Sequence, residues 1–108
     1  MQKIPLSTNP NQQSSCVLDD QNCVITLRQN GQWVYLTLEV DQEKVCDGVT
    51  CRDRSPLPPF STTKFSGRLI FVDTKGKSRP NYKEFESRYI LVYLTAEEAR
   101  QYADKYLL

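Results

Sequence analysis

The chain has 108 residues, with 14 basic and 13 acidic side chains, no histidine and four cysteines. That length has room for one domain built on one small core, and a net charge of +1 gives no global pull toward nucleic acid or an anionic membrane. The missing histidine excludes Ser-His-Asp, Cys-His and His-ligated metal sites, and no apolar run approaches the ~20 residues of a membrane span.

The N-terminus, Met1-Gln2-Lys3-Ile4-Pro5-Leu6, lacks the apolar core of a secretory signal. The expectation is a soluble chain kept in a cytoplasm or built into an assembly there. Lys3 to Leu6 is a short strand candidate inside an N-terminal arm, residues 1–15. The polar run Ser7 to Ser15, with Pro10 and its side-chain amides, reads as loop. Cys16 to Leu18 is compatible with a strand, and Asp19 to Asn22 turns the chain.

Cys23 to Val40 carries the clearest local signal, a β-hairpin with its turn at Asn30-Gly31. Strand side chains alternate between faces. Val34, Leu36, Leu38 and Val40 therefore share one face, and Trp33, Tyr35, Thr37 and Glu39 the other. Asp41 to Lys44 is a second turn, and Val45 to Cys51 a further strand weakened by Gly48. Arg52 to Phe60 holds three prolines within four positions, which block a central strand. Arg68 to Asp73 is apolar on both faces and reads as a central strand. Ser78 to Ser87 reads as a long loop, and Arg88 to Leu94 as a second core strand.

Residues 95–108 read as a helix. Thr95-Ala96-Glu97-Glu98 is a capping box, and Ala99, Tyr102, Ala103, Tyr106 and Leu107 fall on one face. The predicted fold class is mainly β, a small antiparallel β-sandwich or barrel, with a C-terminal α-helix. Leu36, Leu38, Leu69, Phe71, Leu91 and Tyr93 are the expected centre of the core.

Little in this chain carries chemistry. None of its four glycines forms a phosphate-binding loop. The acid pairs Asp19-Asp20 and Glu97-Glu98 have structural explanations, as turn residues and as first-turn helix acids. For the cysteines, free thiols are the leading reading. Disulfides remain open. Zinc is disfavoured because six residues separate Cys16 from Cys23, against the usual ~2–4. No catalytic residue, cofactor or metal ligand is expected. Arg52, Arg54 and Lys64 with Phe60 and Phe65 could form a basic, aromatic patch for single-stranded nucleic acid, but Asp53 interrupts the charge. Six residues stand out as candidate contacts to a partner: Ile4 and Leu6 of the arm, Trp33 and Tyr35 on the hairpin, and Phe60 and Phe65 around the proline-rich loop.

The order of these pieces resembles the small baseplate plug proteins of contractile-tailed bacteriophages. The likeness runs from Ile4-Pro5-Leu6 and Pro10-Asn11-Gln12 through Val24 to Arg28 and Gly31 to Leu38. It continues in Gly67 to Asp73 and in Arg88-Tyr89-Ile90-Leu91-Val92-Tyr93-Leu94-Thr95-Ala96-Glu97-Glu98. The proline-rich stretch Pro56 to Thr63 and the extension to Leu108 depart from the pattern. The resemblance implies a non-enzymatic structural subunit docking at the tail tube and hub junction of a virion baseplate, in several copies, after host cytoplasmic assembly. Its partners would be other baseplate, hub and tail-tube proteins; the near-neutral charge and the lack of an apolar span, for their part, point away from a membrane and disfavour nucleic acid. The alternative is a small β-barrel module binding a peptide or nucleic acid.

Overall fold

The computed structural model describes residues 1–60 and 62–102. Three two-residue turns shape its larger sheet. Asp19-Asp20 and Asp41-Gln42 all have positive φ, between 49° and 71°, as a tight turn between right-twisted strands requires. The middle turn is Gly31-Gln32, with Gly31 at φ +65°, because Asn30 pairs with Trp33 as the last rung of the ladder. The expected Asn30-Gly31 corner is thus shifted by one residue. A single positive φ at the first corner position suits glycine and leaves Asn30 free to extend its strand.

These turns join β2 (Asn11–Leu18), β3 (Gln21–Asn30), β4 (Trp33–Val40) and β5 (Glu43–Thr50) into an antiparallel meander in that order. The second sheet is three-stranded and antiparallel, ordered β1 (Gln2–Ile4), β7 (Tyr89–Leu94), β6 (Arg68–Asp73). Inward side chains of both sheets meet in one core that includes Ile25, Leu27, Leu36, Leu38, Leu69, Phe71, Leu91 and Tyr93. The fold is mainly β, with α1 (Ala96–Tyr102) at its C-terminal end.

Several expectations are corrected. The polar run after Ser7 becomes strand from Asn11 onward. β2 lies at the sheet edge, where Gln12 and Ser14 face inward only half-buried, so it is held by its register with β3 rather than by apolar burial. Arg68 to Asp73 is not central: β7 is, between β1 and β6. The outer edge of β6 is covered by the proline-rich segment. Leu57 and Leu69 exchange backbone hydrogen bonds of 2.8 and 2.7 Å, and Arg54 N–H donates to the Phe71 carbonyl at 2.7 Å. The outer face of β6 is covered as well, with Ile70 and Val72 against Ala99 and Tyr102 of α1, so both faces are apolar and β6 reads as central from sequence. The stretch expected as loop from Ser78 to Ser87 contains a 3-10 turn, Tyr82–Glu84.

The capping box closes from both sides. Thr95 N–H donates to Glu98 Oε1 at 3.0 Å, and Glu98 N–H donates to Thr95 Oγ1 at 3.2 Å. Ala99 and Tyr102 then lie against Ile70, Val92 and Leu94 on the outer face of the small sheet. Ala103, Tyr106 and Leu107 of the expected helix face lie outside the described residues.

The four cysteines are free thiols. Burial raises all four pKa values, that of Cys23 to about 11. Alkylation proceeds through the thiolate, so the native protein should react slowly and chiefly at the half-buried Cys16. Denaturation without reductant should expose all four. Intact-mass spectrometry reads both states, and a protected pair after denaturation would contradict the free-thiol assignment.

Candidate interaction surfaces

The six candidate contacts separate into buried and accessible groups. Ile4 is 1% exposed and sits opposite Leu91 in the β1–β7 ladder. Phe65 is also 1% exposed, its ring 5.6 Å from that of Tyr93. Both are core residues, so neither is a contact surface of the folded chain: apolar side chains next to a half-filled sandwich are drawn inward. Leu6 is half-buried, and its N–H donates to Glu86 Oε1 at 2.7 Å. The stretch Lys3 to Leu6 is therefore tied to the domain by the β1 ladder and by Glu86, which also pairs with Lys3 Nζ at 2.7 Å.

Trp33 and Tyr35 are half-buried with part of each ring open to solvent, and Phe60 is exposed. Phe60 is 47% exposed at the tip of the proline-rich loop. Tyr35 stands on the uncovered face of the meander between Arg28 and Thr50. Trp33 lies at the sheet end, with the guanidinium carbons of Arg52 and Arg79 at 5.2 and 4.6 Å from its ring centroid. Such distances are those of cation–π contacts. Arg79 also donates to Gln32 Oε1.

The basic patch expected from Arg52, Arg54 and Lys64 does not form. Arg54 is turned into the domain, where it pairs with Asp53 and donates to the Gly76 and Asp73 carbonyls at 3.2 and 3.3 Å. Lys64 pairs with Glu43 at the other end of the meander. Arg52 is joined instead by Arg79, 27 positions further along. Local charge spacing holds no signal for that pairing, which depends on the loop after β6 reaching back to the β3–β4 turn. Tyr82 N–H donating to Gln29 Oε1 at 2.9 Å holds that loop in place.

Behind this end lies a polar node built on Asp73, which is 1% exposed. Its carboxylate accepts from Arg88 Nε and Nη2 at 2.8 and 3.0 Å and from the N–H groups of Lys75 and Ser78 at 2.9 and 2.8 Å. Its own N–H donates to Asp53 Oδ1 at 2.7 Å. The Arg88 hydrogen bonds above all, then the backbone N–H groups, outweigh burial and hold the Asp73 pKa well below the carboxylate range. A depressed pKa adds stability that is full above the unfolded value of roughly 4 and is lost as pH falls toward the folded value. Asp73→Asn should therefore lower the urea midpoint clearly at pH 7, with the gap to wild type narrowing below about pH 4. A gap independent of pH would mean that the side chain's shape matters and its charge does not.

Among the described residues, no group of three or more cysteine, aspartate or glutamate side chains converges as a metal ion requires. What the surface presents is an open polar sheet face, an exposed loop tip and an arginine-flanked indole. A family model described as cyanophage baseplate Pam3 plug gp18 matches residues 1–97. The chain belongs to this family of phage baseplate plugs. It is accordingly a structural component of a phage baseplate, a part of the virion tail that associates with other baseplate proteins. No curated protein matches the chain. The family match ends at Glu97, within the first turn of α1, so the rest of that helix lies beyond the matched region.

Proposed function

We propose that this baseplate plug is a non-enzymatic subunit of a contractile tail, docking where the tail tube meets the hub and present in several copies per virion. The observation that carries the reading is the family match across residues 1–97. The architecture is consistent with a docking role. A two-sheet body with three tight turns presents rigid surfaces, and rigid presentation reduces the ordering cost of association. The aromatic residues outside the core, Trp33, Tyr35 and Phe60, are of the type that anchors protein interfaces. Tail-tube and hub proteins are the proposed partners, with Phe60 and Leu6 beside Trp33 and Tyr35 as contact residues. Host cytoplasm is the proposed site of assembly, before the plug is locked into the virion.

Phe60→Ala/Tyr35→Ala tests the contacts. Neither side chain belongs to the core, so the variant should fold like wild type, with ellipticity unchanged and the urea midpoint close to it. It should be depleted from purified virions when it replaces the native plug, as read by quantitative mass spectrometry. Wild-type incorporation of a folded variant would remove these residues from the interface. Absence of even the wild-type chain from virions would overturn the structural role itself. Deleting residues 1–9 is a different experiment, because it removes β1 and Ile4 from the core; the expected result is loss of folding.

A further inference from the structure

The turns at the two ends of the meander differ in the sign of the charge they carry, although Lys44, which pairs with Asp47, and Arg68, which donates to the Ser66 and Gly67 carbonyls, stand near the acidic end. One end of the meander holds the turns Asp19-Asp20 and Asp41-Gln42, with Glu43 beside them. There Asp41 accepts from Asn22 N–H at 3.1 Å and Asp19 from Ser66 Oγ at 3.5 Å, neutral donors that leave both charges in place. Among the described residues, Asp19, Asp20 and Asp41 have no cationic partner, and Lys64 is taken up by Glu43. The opposite end holds the Gly31-Gln32 turn, Trp33, Arg52 and the loop bearing Lys75, Lys77, Arg79 and Lys83. None of those five cations has a carboxylate partner among the described residues, since the acids nearby are committed: Asp73 and Glu84 to Arg88, and Asp53 to Arg54. At ~3.3 Å per residue, the eight residues of β4 hold the two ends roughly 26 Å apart.

The basic end is built rather than merely charged. Two guanidinium groups share one indole without an anion between them. Stacking on an aromatic face leaves the edge N–H groups of a guanidinium for carboxylate oxygens. The acidic end offers such oxygens on rigid two-residue turns with positive φ. Within one molecule the ends lie beyond the ~10 Å screening length of ordinary salt and do not neutralise each other.

We propose that the arginine-flanked Trp33 end of one copy receives the Asp19-Asp20 and Asp41 end of a second copy, in a head-to-tail contact. The contact is heterologous, so each copy keeps one free end of each sign, and repetition gives a ring or a stack according to the rotation between copies. It is independent of where in the baseplate the plug sits.

Sedimentation velocity on the purified full chain tests the proposal. At an ionic strength of roughly 0.01 M, where screening reaches only over ~30 Å, the weight-average mass should rise with concentration to at least about twice that of the monomer. At roughly 1 M salt, with screening over ~3 Å, it should return to the monomer. Arg52→Glu/Arg79→Glu and Asp19→Lys/Asp20→Lys should each be monomeric at low salt. Their equimolar mixture should associate again, because the native Asp19-Asp20 turn of the first variant meets the native Trp33 end of the second, and the new glutamates of the first meet the new lysines of the second. That recovery also shows that both variants are folded. A wild-type chain monomeric at low salt overturns the proposal, as does association that survives either double substitution. Retention of a single-stranded oligonucleotide that depends on Arg52 and Arg79, by a chain that stays monomeric, would overturn it in favour of nucleic acid at the same end.

Discussion

Leu91→Ala is expected to cost about 2–5 kcal/mol of unfolding free energy. Leu91 is fully buried on the central strand of the small sheet, with Ile4 opposite it on one side and Phe71 on the other. Truncation removes contacts to both neighbouring strands and to the facing sheet at once. Collapse around the void is limited, because β7 is held by ladders on both edges. A domain of this size has a total of roughly 5–15 kcal/mol, so soluble yield should fall along with the urea midpoint. A change below about 0.5 kcal/mol, the range of surface sites, would place Leu91 outside the core.

Gly67→Ala is the second large effect, and it acts by crowding instead of by emptying. Gly67 is buried at the entrance to β6. A Cβ there would fall inside van der Waals contact with the Leu94 carbonyl oxygen and with the ring and hydroxyl of Tyr93. A flexible side-chain end could move aside, but the Leu94 carbonyl is backbone of the central strand of the small sheet and must take the β7 ladder with it. Overpacking of this kind costs about 1–3 kcal/mol. Chemical denaturation of Gly67→Ala beside Ser66→Ala measures it, since Ser66 is the exposed neighbour one position away. Equal midpoints for the two variants would show that β7 yields freely at Leu94.

Both effects rest on features that differ in how visible they are along the chain. Leu91 stands in an apolar run that announces a core strand, whereas the role of Gly67 depends on Tyr93 and Leu94, 26 and 27 positions away. The candidate contacts divide in the same manner. Alternation correctly separates Trp33 and Tyr35 from Val34 and Leu36, because a period of two is a property of the extended backbone itself. It says nothing about Ile4 or Phe65, whose burial depends on their joining the core shared by the two sheets. The cation pair is the extreme case, since Arg52 and Arg79 meet only through Trp33.

Local physics in the sequence alone determined the β class, the inward faces of β3, β4 and β7, and the Thr95 to Glu98 cap. Hydrophobic alternation, turn chemistry and capping act over a few residues and leave their mark there. The tertiary structure decided the rest: that Gln-Gln-Ser-Ser is an edge strand, that β7 and not β6 is central, that Asp73 anchors a loop through Arg88, and that the turns at the two ends of the meander differ in the sign of their charge. Each of those is set by which strand lies beside which. Strand order depends on contacts between residues far apart in the chain, whose energies no local window contains.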